Sequence, residues 1–117
     1  MYSGMTPKAL DWQKKIRKFV NDELIPWEVH AEMNNGELPK EIEKKHREIA
    51  LKLGLSGMGI PKESGGLGLS MFEQMIAWEQ LGRVTNALSW CFPEVQDWMI
   101  NNFTQYQKEN YMNPLLR

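Results

Sequence analysis

The apolar residues near the start of the chain follow the spacing of an amphipathic helix. Between Trp12 and Trp27 they recur at steps of three and four residues, which places them on one helical face. Thr6 followed by Pro7 is typical of an N-cap with proline at the first helical position. Pro26 removes a backbone donor and crowds the preceding turn. The pattern therefore predicts a first helix that Pro26 kinks or interrupts and that resumes to about Met33.

A second helix follows a turn. Residues 34–36 read Asn-Asn-Gly, a turn signal. From Leu38 and Pro39 onwards the apolar residues again lie on one side of a helix as far as Leu53. Gly54 then stands where a helix-ending glycine belongs.

Capping signals divide the second half of the chain into further helices. Ser70 to Glu73 spells the capping box S-x-x-E before a helix that is apolar nearly all round and that we expect to be buried. We expect a helix over 85–91 with Thr85 or Asn86 as its cap, and a break or restart at Pro93 with continuation to Ile100. A short capped helix over 104–111 should stop before Pro114.

The stretch 54–70, GLSGMGIPKESGGLGLS, lies between the second and third main helices and holds six glycines. Apolar residues alternate with these glycines, so we expect the loop to pack against the core. At least one of Gly65 and Gly66 should have a positive φ or a contact too close for a Cβ atom. The sequence thus predicts an all-α fold, a bundle of about five to six helices with a Gly-rich loop.

Composition excludes several classes of function. A net charge of −1 over 117 residues provides no basic surface for nucleic acid. No apolar run approaches the roughly 20 residues of a membrane span. One cysteine, Cys91, excludes an intrachain disulfide and a multi-thiolate metal site. With no visible secretory signal, these features favour a single cytoplasmic domain.

Familiar chemical motifs do not occur. The loop lacks the Gly-Lys pair of a P-loop and the third glycine of G-x-G-x-x-G. His30 and His46 lie on different predicted helices without zinc-ligand spacing, so each is interpreted as a surface or core residue. The charged residues of the second helix are explained by pairing along a solvated face. These patterns predict no metal site and no catalytic residue.

Five blocks of sequence, in order, resemble the N-terminal helical domain of acyl-CoA dehydrogenases. Residues 60–70, IPKESGGLGLS, are similar to the family's I-P-E-E-Y-G-G-L-G-L-S. Upstream, residues 19–27 resemble F-V-x-x-x-L-I-P, and residues 53–57 resemble L-G-L-x-G. Downstream, residues 79–83 resemble E-E-L-G-R, and residues 107–116 resemble E-Q-K-x-x-Y-L-P-x-L.

The resemblance implies an FAD enzyme that removes hydrogens from the α and β carbons of an acyl-CoA thioester. It also implies electron-transfer flavoprotein as the electron acceptor and a homo-oligomer when full length. Residues 1–117 would be the first domain, without the middle β domain and the C-terminal helical domain that hold most flavin contacts and the catalytic base. The chain alone is then expected to be inactive.

The family lines the far end of its acyl pocket with the segment after E-E-L-G-R. The resemblance implies this role for Ser89, Trp90 and Pro93. The alternative interpretation of Trp90 is that it is simply a core residue. Three departures from the family pattern bear on the pocket: Ser64 replaces an aromatic residue, Asn102 and Phe103 replace a glycine region, and Pro93 interrupts the pocket helix.

Two other functions are compatible with these residues. The chain could be a stand-alone helical interaction module, or the same domain of an acyl-CoA oxidase or a flavin monooxygenase.

Overall fold

A computed structural model describes residues 5–116, and within that range every regular element is helical. The predicted all-α fold is confirmed. We number the α-helices α1 Pro7–Phe19, α2 Glu28–Met33, α3 Lys40–Leu53, α4 Met71–Leu81, α5 Asp97–Asn102, α6 Gln105–Gln107 and α7 Asn113–Leu115.

The central packing is between α1 and α4. Buried side chains from α1 and the turn after it meet those of α4 and of the loop before α4. Each large side chain buried here contributes roughly 1.5–3 kcal/mol. One polar bond crosses the same contact, since the Trp12 indole Nε1–H donates to the carbonyl of Glu73 over 3.0 Å. The main cluster comprises Ala9, Trp12, Ile16, Phe19, Val20, Leu24, Ala50, Leu55, Met58, Ile76, Ala77 and Leu81.

A π-helical turn precedes each of two prolines, Pro26 and Pro114. A π-helical turn, Val20–Leu24, ends one residue before the turn that contains Pro26, and the Ile25 amide donates to the Val20 carbonyl. A second one, Lys108–Met112, precedes α7, which contains Pro114. A π turn shifts the hydrogen-bond register, so the missing proline N–H falls where no donor is required. The interruption at Pro26 is confirmed, whereas the predicted helix end before Pro114 is wrong.

Three of the four predicted helix N-caps are confirmed. Thr6 Oγ1 accepts from the Ala9 amide over 3.1 Å. Ser70 and Glu73 form a reciprocal capping box on α4, and Thr104 and Gln107 form another on α6. Such caps satisfy amides that the first helical turn leaves without partners.

The loop 54–70 is folded back on itself and against the core. Gly54 ends α3 with φ of 83°. The amides of Leu67, Gly68 and Leu69 donate to the carbonyls of Gly57, Ile60 and Met58 over 3.0, 2.8 and 2.8 Å. Leu55, Met58 and Ile60 are buried.

Both glycines singled out in this loop are constrained, as predicted. Gly65 has φ of 97°. A Cβ on Gly66 would collide with the carbonyl oxygen and Cβ of Ile60 and lie 2.6 Å from the Gly57 oxygen.

The prediction that α4 is buried is wrong for one of its faces. Ile76, Ala77 and Leu81 are buried, but Phe72, Met75 and Trp78 are 47%, 62% and 39% exposed. The molecule measures 43 × 40 × 18 Å, and 18 Å is less than two helix diameters of roughly 10–12 Å each. A slab this thin has too few layers to cover a helix that is apolar all round.

Candidate functional site

The predicted site lies in the segment between α4 and α5, which is irregular rather than helical. Residues 85–90 form turns, and Asn86 and Ala87 have φ of 58° and 56°. The predicted helix over 85–91 is therefore wrong. Thr85 does not cap a helix here, because its amide and hydroxyl both donate to Glu28 Oε2, over 2.9 and 2.8 Å.

Contacts at both ends hold this segment in place. Near its start the Asn86 side-chain amide donates to Glu32 Oε2 over 3.1 Å. Near its end the Val95 amide donates to the Ser56 carbonyl over 2.8 Å. Leu88 and Val95 are buried. The residues between them are thus held at the surface by a fixed backbone.

The three predicted pocket residues lie on this segment but do not share one surface. Trp90 is 83% exposed, so its interpretation as a core residue is wrong. Ser89 and Pro93 are half-buried. Trp90 lines a groove whose lining includes neither Ser89 nor Pro93.

That groove, of about 600 Å³, lies between α3 and the segment 86–91. Its α3 wall carries Lys40, Lys44 and Arg47. The sequence explains Lys44 and Arg47 as part of a solvated face, although the spacing of four and three residues from Lys40 to Arg47 places all three on one helical side. Only the tertiary structure sets Trp90 opposite them. We call this the α3 groove.

His46 forms part of the groove lining and is 1% exposed. Burial, which disfavours the charged ring, lowers its pKa; a hydrogen bond to the Glu23 main chain and the Glu23 charge act in the opposite direction. Its Nε2 has no hydrogen-bond partner among the described residues. A buried polar atom without a partner is costly, and it marks His46 as a candidate ligand contact.

Cys91, the next groove residue after Trp90, is in an environment that disfavours the reactive thiolate. Burial raises the pKa of its thiol to about 11. The thiolate is the reactive form, so this cysteine acts as an apolar wall.

The Gly-rich loop does not form a phosphate cradle. Added Cβ atoms at Gly54, Gly59 and Gly66 would meet Leu67, Gln74 and Ile60 of the protein itself. These glycines permit close packing inside the loop, whereas a cradle needs backbone amides open to a ligand. A flavin diphosphate therefore does not fit this loop.

Residues 5–116 contain no cluster of three or more metal-ligating side chains. Within the same range, no helix has the length and hydropathy of a membrane-crossing segment.

Fold and local motifs together define an all-α domain whose Gly-rich loop is packed against the helical core. The family described as Acyl-CoA dehydrogenase, N-terminal domain, matches residues 6–117. The chain belongs to this family.

Individual relatives agree with the family match. Isovaleryl-CoA dehydrogenase, mitochondrial, of Arabidopsis thaliana is 27% identical over 111 residues, 92% of this chain and 26% of the relative. The Bos taurus protein of the same name is 24% identical over 97% of this chain and 27% of its own length. Long-chain specific acyl-CoA dehydrogenase, mitochondrial, of Sus scrofa is 36% identical over 70 residues, 59% of this chain and 15% of the relative.

The chain thus spans about a quarter or less of the length of these relatives. No solved structure matches it significantly.

Proposed function

We propose that this chain is the first domain of an enzyme that dehydrogenates acyl-CoA thioesters between their α and β carbons. The observation that carries the proposal is the family match over residues 6–117. The segment after α4 would contribute to the acyl pocket through Ser89, Trp90 and Pro93. The exposure of Trp90 at a groove supports this role, because a pocket-lining side chain must present its surface to the ligand.

In this proposal FAD would be held by other parts of the complete protein, where it would supply the acceptor for the hydride that leaves the β carbon while a base takes the α proton. The packed glycines of the loop are the reason for placing the cofactor elsewhere. Electron-transfer flavoprotein as acceptor and a homo-oligomeric assembly belong to the same proposal. They rest on the family alone. A cytoplasmic location remains a prediction from the sequence, while the relatives are named as mitochondrial enzymes.

The test compares the native gene product with its Trp90→Ala variant, using a series of straight-chain acyl-CoA thioesters and a dye as electron acceptor. Removing the indole leaves space for additional methylenes, each worth about 0.8 kcal/mol or roughly fourfold in kcat/KM. We expect the preferred acyl chain to lengthen. Trp98→Ala is the matched control, since Trp98 is also exposed but lies outside the α3 groove.

Two negative results have different meanings. Absence of activity towards every acyl-CoA thioester would contradict the proposed reaction. An unchanged ranking of acyl lengths in Trp90→Ala, with activity present, would contradict only the role of Trp90.

A second function, as a helical interaction module, is favoured by one observation: the exposed apolar face of α4. Phe72, Met75 and Trp78 line a further groove of about 480 Å³ together with Met5. Exposed apolar surface of this kind marks an interaction site. In the proposed enzyme it would pack against another domain, and in the chain alone it would drive self-association.

The purified 117-residue chain tests the exposed face of α4 and the proposed division between domains. We expect a helical circular dichroism spectrum, a colourless solution without dehydrogenase activity, and self-association by analytical ultracentrifugation that Met75→Glu weakens. Stoichiometric FAD retained through gel filtration would show that the flavin site lies within this chain and that the proposed division between domains is wrong.

A further inference from the structure

The two walls of the α3 groove differ in chemistry. One wall, from the segment after α4, begins with the polar Asn86 and is otherwise apolar, ending in Trp90 and Cys91. The other wall is one face of α3, where Lys40, Lys44 and Arg47 project into the groove. The volume of about 600 Å³ lies within the roughly 300–1,000 Å³ of small-molecule sites. A ligand that fits both walls has an apolar stem and a negatively charged end.

The positive charge of the α3 wall is only partly compensated. Neither Lys40 nor Arg47 forms an ion pair with any carboxylate of residues 5–116, and Lys44 lies 4.0 Å from Glu48. Within the groove, three cations face the carboxylate of Glu43. An arginine and lysines converging on one space are the usual partners of a carboxylate or phosphate.

His46 adds an unsatisfied polar atom to this site. Its Nε2 is buried and has no partner among the described residues, and His46 is one of the residues that line the groove. Burial and the Lys45 charge oppose a positive charge on the ring and lower its pKa, whereas the Glu23 main chain and carboxylate favour it. A carboxylate entering the groove would add a second negative charge and an acceptor. The ring would then take a proton from solvent and donate Nε2–H to the ligand.

We propose that the α3 groove receives the far end of an acyl thioester that carries a terminal carboxylate. The apolar wall would hold the methylenes, and Lys40, Arg47 and His46 would hold the carboxylate. The inference rests on the proposed function for its thioester part. The carboxylate part rests on the charges and the unpartnered His46 nitrogen alone.

The probes are glutaryl-CoA and valeryl-CoA, which share five acyl carbons and differ only in a terminal carboxylate or methyl group. Binding to the 117-residue chain is measured by isothermal titration calorimetry at pH 7 in two buffers of different ionisation enthalpy. This design reports affinity and proton uptake together. Glutarate, titrated while the His46 ring protons are followed by NMR, tests the carboxylate without CoA.

We expect glutaryl-CoA to bind about tenfold more tightly than valeryl-CoA, because charge-assisted hydrogen bonds to its terminal carboxylate add to the binding free energy. We expect proton uptake with glutaryl-CoA only. Both effects should vanish in Lys40→Gln/Arg47→Gln, whose sites are exposed and tolerate the change. The matched control Lys14→Gln/Arg17→Gln removes the same charges from exposed positions of α1 and should keep both effects.

Equal affinity for the two thioesters would overturn the inference and leave the proposed function standing. Loss of the preference to the same extent in both double variants would also overturn it, because general charge attraction would then explain the result. Failure of both glutarate and glutaryl-CoA to perturb His46 would do so as well. If glutarate shifts the His46 signals while valeryl-CoA does not bind, the carboxylate site is supported and the proposed acyl-CoA function is not.

Discussion

Gly66→Ala tests the packing of the Gly-rich loop most directly. A methyl group at this position would collide with the carbonyl oxygen and Cβ of Ile60 and lie 2.6 Å from the Gly57 oxygen. Neither carbonyl can simply move away, since the Ile60 carbonyl accepts from Gly68 and the Gly57 carbonyl accepts from Leu67. Ile60 is itself 1% exposed. The added atom must therefore separate two hydrogen-bonded segments or displace a buried side chain.

The cost follows from those contacts. Losing two backbone hydrogen bonds costs about 1 kcal/mol each, and overpacking a filled site adds about 1–3 kcal/mol. We expect Gly66→Ala to lower the free energy of unfolding by about 3 kcal/mol or more. For a domain of this size that corresponds to a fall in Tm of about 10 °C or more.

The assay is thermal and urea unfolding followed by circular dichroism, with Gly36→Ala as the control. Gly36 has φ of 81° but no atom within 4 Å of an added Cβ. It therefore isolates the backbone cost of a left-handed alanine, about 1 kcal/mol. A loss of stability in Gly66→Ala no larger than that in Gly36→Ala would refute the close-packing argument.

Three further predictions concern a cap and two buried groups. Ser70→Ala removes half of the α4 capping box and should cost about 1 kcal/mol in urea unfolding; no change would mean that the helix start needs no cap. The folded pKa of His46 lies below its ordinary value of 6.5, so the unfolded chain takes up the proton first. The free energy of unfolding should therefore be constant well above pH 6.5 and fall as the pH drops below it. A His46→Gln variant with the same pH dependence of stability would contradict the assignment to His46. A thiol pKa of about 11 for Cys91 should make its alkylation by iodoacetamide at pH 8 about a hundredfold slower in the folded chain than in the chain unfolded by urea. Equal rates for the two states would show that the thiol is exposed.

Local rules predicted the regular part of this fold well. Thr6 with Pro7, and the Ser70–Glu73 and Thr104–Gln107 boxes, each fixed a helix start because capping depends on residues within one turn. The position of Gly54 similarly marked the end of α3. The five blocks of family resemblance agreed with the match over residues 6–117.

Local rules failed where distant residues decide the conformation. The helix expected over 85–91 does not form, because Thr85 bonds to Glu28, some 57 residues earlier, instead of capping. The chain continues helically through Pro114 because a π turn precedes it, and the usual proline rule assumes α-helical register.

The sequence by itself determined that the chain is helical, where most helices begin, that the loop glycines are structural, and which family it belongs to. These properties follow from side chains within a turn or from motifs read in order. Only the tertiary structure showed that one face of α4 is uncovered, that Trp90 is exposed, and that it shares a groove with His46 and the cations of α3. The exposure of a side chain and its position relative to distant residues depend on which helices pack together. The periodicity of one helix does not specify which other elements pack against it.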